Sequence, residues 1–302
     1  MVLRLAVRQG GVVSRSQLRD LGITRDEVVA HVRARRWRPL HSQSLVTHTG
    51  PVELAGLHWA AVHEAGDRGC LDGSSSLIAG GLEHYTEESI RVSVPRGVLV
   101  RRAEGVVIRQ TRRYDESDRV AFGVPRTRNH VAAVRAALWA RSDKQATLLL
   151  TLGVQQGMTT PALLTEQLLR IQRDPRRQLM TAVITDLLHG VRSLGEHEFA
   201  QLCRERGLPE PSRQVLRKGK DGRYYLDVMW EPWGVVVEID GIQHAWAGNV
   251  VADALRQNNV TIRHAVVLRL PLLGLRVAAD EFFAQIEQAL TDAGWARPGT
   301  AA

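Results

Sequence analysis

The most restrictive stretch of the chain is LDVMWEPWGVVVEIDG, residues 226–241. Asp227 sits between Leu226 and Val228 in a strand-like run, the sequence EPWG makes a turn, and VVVEIDG is apolar enough to form a central, buried strand. In a strand, positions i and i+2 point to one face. Glu238 and Asp240 therefore project together, and Asp227 from the neighbouring strand joins them at the spacing Asp-x10-Glu-x-Asp. Two carboxylates side by side in an apolar strand are unfavourable unless they share a cation or a proton. Carboxylate oxygens with open water positions are what Mg²⁺ prefers. A metal held this way activates water and stabilises charge on a phosphodiester. A single acid at a strand end reads as a solvated group, and Asp240-Gly241 is also ordinary turn chemistry. Three acids at this spacing point instead to a site for Mg²⁺ or Mn²⁺.

The flanking sequence extends this into a domain over residues 193–290. SLGEHEFAQLCRERG has the pattern of an amphipathic helix ended by Gly207, and LPEP is a proline-rich turn. SRQVLRKGKDGRYYLDVMW reads as a hairpin turning at Lys220-Asp221-Gly222. After VVVEIDG come a helix (VADALRQNNVTIRH), a short strand (AVVLRLP) and a closing helix (DEFFAQIEQALTDAG). The order α, β, β, β, α, β, α predicts an α/β arrangement, a mixed sheet flanked by helices. Trp230, Trp233 and Trp246 are read as packing residues rather than base-stacking ones.

At the other end, residues 1–48 predict a small helical unit. LRLAVRQG is a helix ended by Gly10-Gly11, VVSRSQLRDLG a second one capped by Ser14 or Ser16, and ITRDEVVAHVRARRW a third. In the third, Thr24 is an N-cap and Glu27, three residues on, completes a capping box. RPLHSQSLVTH then reads as a β-ribbon, giving the order of a winged helix-turn-helix. This segment holds nine arginines against three acids, a net of +6 within a chain whose net charge is +8. Arg33, Arg35, Arg36 and Arg38 line the end of the third helix and the start of the ribbon, a patch suited to neutralising DNA phosphates.

Residues 50–190 form a middle segment, mixed and then helical. Asp72-Gly73-Ser74-Ser75 reads as a helix N-cap after a turn; no pair of acids follows it, as a nucleotidyltransferase would need. IRVSVP and GVVIRQTRRY look like strands around the basic turn RGVLVRRAEG. From 127 to 190 apolar residues recur at spacings of three and four, predicting helices that connect to and pack against the last domain. No GxxxxGK[ST] phosphate loop occurs in the chain.

Bulk properties narrow the context. The 302 residues are 44% hydrophobic and 24% charged, ordinary for a globular protein. No apolar run approaches the ~18 residues of a membrane span, and Arg4 and Arg8 interrupt the only apolar stretch at the N-terminus. Cys70 and Cys203 are the two cysteines and lie far apart, so neither a disulfide framework nor a thiolate zinc site is expected. A reducing cytoplasm fits.

The motif set resembles that of the PD-(D/E)XK restriction-endonuclease-like superfamily, in which an Asp is followed about ten residues later by Glu-x-Lys on the adjacent strand. Within that superfamily it is most similar to domains related to the very-short-patch-repair (Vsr) endonucleases. These carry an Asp, a "vEvDGxxH" strand, a helix with D-x-x-R and a strand ending in arginine. The counterparts here are Asp227, VEIDGIQH at 237–244, Asp253-x-x-Arg256, and Arg269 in VLRL. The resemblance covers about a third of the chain. It implies catalytic roles for Asp227, Glu238, Asp240, His244, Arg256 and an early-helix acid, Glu196 in preference to Glu198. Asp240 stands where the superfamily usually has lysine, which leaves His244 as the natural general base. Arg256 or Arg269 would bind the scissile phosphate. The N-terminal segment resembles that of AbiEi-family antitoxins. That resemblance implies DNA binding or pairing with a toxin or other protein, with a homodimer also compatible. Two functional expectations follow: a Mg²⁺-dependent DNA endonuclease in repair or defence, and a non-catalytic antitoxin or transcriptional regulator that keeps the nuclease fold.

Overall fold

Short helices and a small sheet open the chain. Helix α1 (Val2–Arg8) ends before Gly10 and Gly11, both with positive φ. Strand β1 (Val12–Ser14) leads directly into α2 (Arg15–Asp20), and α3 (Arg25–Arg33) follows. Both α2 and α3 begin with capping boxes. Gln17 N donates to Ser14 Oγ at 3.0 Å and Ser14 N to Gln17 Oε1 at 2.9 Å. The expected Thr24–Glu27 pair forms likewise, with Thr24 N donating to Glu27 Oε2 at 2.7 Å and Glu27 N to Thr24 Oγ1 at 3.2 Å. The bond from the Thr24 backbone holds the Glu27 carboxyl below its ordinary pKa. Strands β2 (Arg38–Pro39) and β3 (Ser44–Val46) form the expected ribbon, and the sheet runs β1-β3-β2. Helix α2 starts from Ser14, one of the two caps expected, and ends before Gly22, while the residues leading into it form strand β1. Val12 and Val13 are fully buried, and Val12 pairs with Val46. Ladder bonds to β3 and core burial outweigh a local pattern too short to be decisive.

Next come α4 (Leu54–Ala65), β4 (Cys70–Leu71), α5 (Gly73–Ala79), β5 (Ile90–Pro95), β6 (Val106–Thr111) and α6 (Asn129–Leu138). The sheet order is β4-β5-β6, with β5 and β6 parallel. RGVLVRRAEG, expected as a basic turn between two strands, is thus a crossover between parallel strands. Asp72 caps α5, as expected, by accepting from Gly73 N at 2.8 Å. Its carboxylate also accepts from Thr127 Oγ1 at 3.1 Å and from Arg135 Nη1 at 2.8 Å. Arg135 Nη2 reaches Asp118 at 3.2 Å, completing a buried acid–arginine–acid group.

The periodic apolar runs after this are helices α7 (Asp143–Gln155), α8 (Pro161–Leu169) and α9 (Arg177–His189), followed by α10 (Glu196–Glu205). Strands β7 (Arg213–Lys218), β8 (Tyr224–Trp230), β9 (Val235–Asp240) and β10 (Val267–Pro271) precede α11 (Gly274–Val277) and α12 (Ala279–Asp292). The sheet order is β10-β9-β8-β7, with β10 parallel to β9 and the other pairs antiparallel. Leu226, Val228, Trp230, Val235, Val237, Ile239, Leu268 and Leu270 are all buried. Period-2 geometry puts them on one face. Phe199 of α10 meets Trp230 edge-on at 6.4 Å and Phe283 of α12 at 5.6 Å, so both helices cover that face. Trp230 is a core residue whose Nε1 donates to Pro209 O at 2.8 Å. The helical stretch is joined to α11 by Arg276, which pairs with buried Asp186 of α9 at 2.8 Å.

The computed structural model describes residues 1–189, 196–218, 224–240, 251, 254, 255, 257, 258, 267–272 and 274–297. The chain is a mixed α/β protein of two compact units, Met1–Trp139 and Ala140–Ala302; the division falls inside the 50–190 stretch. Among the described residues no helix is long and apolar enough to cross a membrane.

Candidate active site

The antiparallel register of β8 and β9 sets Asp227 directly opposite Glu238, and Tyr225 opposite Asp240. Directly opposed residues share a face, and Glu238 and Asp240 are two apart on one strand. Asp227, Glu238 and Asp240 therefore occupy the same face, as the spacing predicted. Arg269 of β10 is in register with Glu238 and joins them; its Nε lies 3.7 Å from Glu238 Oε2.

Strand β9 is central, but only alternate residues are buried. The acids occupy the other face, where the Glu238 side chain is 42% exposed. Solvent screens much of the repulsion that burial would have imposed, so burial alone does not force a cation into the group. One oxygen of Asp240, Oδ1, is nonetheless shielded from solvent. Among the described residues, no three His, Cys, Asp or Glu side chains form a group able to enclose a metal ion. Sharing a face is thus not equivalent to a closed three-carboxylate cage. The donor set still fits Mg²⁺, which keeps several waters and is commonly held by one or two carboxylates plus substrate phosphate.

Arg269 is fixed by a contact that the sequence does not announce. Among the described strands β10 lies at the sheet edge, with a strand on one side only. Buried Asn258 makes the contact: its Oδ1 accepts from Arg269 N at 2.9 Å, and its Nδ2 donates to Arg269 O at 2.8 Å. Nδ2 also donates to Gln285 of α12 at 3.0 Å. An asparagine in a helix-like run gives no local sign of this role. Glu196 is the first residue of α10. His244, Trp246, Asp253, Arg256 and the 220–222 turn lie outside the described residues.

In the first unit, Arg33, Arg35, Arg36 and Arg38 are all exposed. The turn carrying them is pinned by Trp37, which is 9% exposed and stacks on His31 with centroids 4.1 Å apart and an 11° interplanar angle. Arg35 adopts φ 55°, the left-handed region. Arg38 Nη2 donates to Gly50 O at 3.2 Å, which ties its guanidinium to the chain after the ribbon.

No protein-family model matches the chain, and no match was found among curated proteins. Among solved structures, the chain resembles the Rv2827c protein from Mycobacterium tuberculosis at 17% identity and a TM-score of 0.37, covering 72% of this chain and 87% of that one.

Proposed function

We propose that the chain is a Mg²⁺- or Mn²⁺-dependent DNA endonuclease of the restriction-endonuclease-like, Vsr-related kind, brought to duplex DNA by an N-terminal winged helix. The observation that carries this reading is the register placing Asp227 opposite Glu238, with Asp240 two residues on and Arg269 alongside. Asp227 and Glu238 would hold the ion, with Asp240 adjoining. The bound ion would supply Lewis-acid stabilisation of the phosphodiester and lower the pKa of its water. Arg269, poised 3.7 Å from Glu238, would turn its guanidinium to a non-bridging phosphate oxygen. Asn258 would keep the Arg269 backbone fixed meanwhile. His244 is the proposed base and Arg256 a second phosphate ligand, both on the motif resemblance. The order α1, β1, α2, α3, β2, β3 with β1 paired to the ribbon supports the winged-helix reading. The exposed Arg33–Arg38 turn supplies its phosphate contacts.

A second reading rests on a specific pair of features. Arg269 already places a protein cation beside Glu238, and Asp240 stands at the usual lysine position. A regulator or antitoxin that binds DNA, a toxin or a second copy without cutting would suit both. The deciding experiment incubates supercoiled plasmid and mismatched duplex with the protein and Mg²⁺ or Mn²⁺, beside Glu238→Ala. Nicking by the wild type alone supports the nuclease. No cutting by either, with salt-sensitive binding by both, supports the regulator.

A further inference from the structure

The first unit contains a cavity of about 590 Å³ that neither reading uses. Its size is within the range of small-molecule sites, roughly 300–1,000 Å³. Helix α4 contributes Trp59, His63 and Glu64 to the wall, the turn after it Arg68, the ribbon Gln43, and the β5–β6 crossover Arg101. Glu64 is already committed, accepting from Ser42 Oγ at 2.6 Å and Gln43 N at 2.5 Å. The others are not. Arg68 and Arg101 are exposed and form no salt bridge among the described residues. Neither ring nitrogen of His63 is exposed to solvent, and among the described residues neither has a hydrogen-bond partner. A buried polar group left this way calls for a physical account. Burial lowers its pKa to about 4, so at neutral pH the ring is an uncharged part of the wall, its nitrogens out of reach of a ligand in the cavity. Half-buried Trp59 lies beside it, ring centroids 5.8 Å apart at a 40° tilt, too inclined for the two rings to stack on each other.

Trp59 and the two arginines suit a ligand with a planar aromatic part and an anionic part. We propose that this cavity binds a nucleotide, its base against Trp59 and its phosphate toward Arg68 and Arg101. A nucleobase supplies a π-face for the indole. Arginines at the rim provide flat forks for phosphate oxygens. The same chemistry is offered by a free mononucleotide and by an unpaired nucleotide in DNA. The inference does not rest on the nuclease reading. The cavity lies wholly within Met1–Trp139, whereas Asp227 and Glu238 lie in Ala140–Ala302, so each reading fails separately.

The test is metal-free titration calorimetry on the full chain. The ligands are AMP, GMP, CMP, UMP, inorganic phosphate, a matched DNA duplex, and the same duplex with one extrahelical nucleotide. The variants are Trp59→Ala and the double substitution Arg68→Ala/Arg101→Ala. The expected result is a mononucleotide bound more tightly than phosphate, with at least about fivefold weakening in Trp59→Ala and a comparable loss in the double variant. If no mononucleotide binds but the bulged duplex is preferred over the matched one, and either variant abolishes that preference, the ligand is a nucleotide within DNA. The proposal is overturned by the absence of both signals, or by binding that the double variant leaves unaltered. Arg68 and Arg101 are exposed, so the double variant keeps the test decisive even if Trp59→Ala misfolds.

Discussion

Two buried side chains show how much a single residue carries in the first unit. Asp72 has no exposed surface, and Arg135 is 3% exposed. The pair is compensated only while the guanidinium stays, because a lone buried carboxylate retains its desolvation penalty. Arg135→Met should therefore destabilise the protein by about 3–5 kcal/mol, read as a lower urea midpoint with an unchanged slope. His63 acts through pH. Its pKa falls from 6.5 to about 4 because burial penalises the imidazolium. The unfolded chain therefore takes up a proton first as the pH drops. Stability from this residue is full above pH 6.5, declines between 6.5 and 4, and is level below that. His58 is shifted in the same direction by burial. Glu64, Asp67, Arg68 and Arg101 share the cavity wall with His63. A series of thermal midpoints from pH 7.5 to 4 should fall less steeply in His63→Gln than in the wild type; parallel curves would show that His63 does not titrate between the two states.

At the scale of elements, legibility followed the range of the interactions. Thr24-x-x-Glu27 is a signal contained in four residues, and the box forms as read. The helical runs from 127 to 190 were legible because each buries its own apolar stripe. Leu226 to Ile239 announced paired strands by alternation, and that alternation also placed the three acids on one face. What alternation could not give was the exposure of that face, since this depends on where α10 and α12 pack. Nor could it give β1, three residues whose partners in β3 lie 30 to 34 positions on, or the parallel pairing across 96–105. Asn258 escaped notice because its task is set by a backbone eleven positions away. The short α2, six residues long, depends heavily on its first turn. Ser14 both ends β1 and caps that helix, so Ser14→Ala should cost about 0.5–2 kcal/mol, measurable as a lower thermal midpoint. Ser14→Asp, which keeps a capping oxygen, should restore most of the loss.

At the scale of the molecule, the two compact units carry different parts of the proposed activity, so binding and cutting should separate by mutation. The arginine turn at 33–38 lies in one unit and the Asp227–Glu238 pair in the other. Phosphate contacts carry no sequence information, and each one lost lowers the slope of log affinity against log salt by about 1. Arg33→Ala/Arg36→Ala should therefore weaken binding to every duplex alike, reduce the salt slope by about 2, and slow cleavage only at DNA concentrations below saturation. Glu238→Ala should do the reverse, leaving the salt slope intact and removing cleavage at all DNA concentrations. Arg269→Ala distinguishes the two readings of the sheet. If Arg269 binds the scissile phosphate, its loss lowers the cleavage rate by about 10²-fold or more, as for other transition-state donors. If it serves only as the counter-charge to Glu238, its loss leaves two acids opposed without that cation. Added Mg²⁺ should then raise the thermal midpoint of Arg269→Ala by more than that of the wild type, without any nicking of DNA.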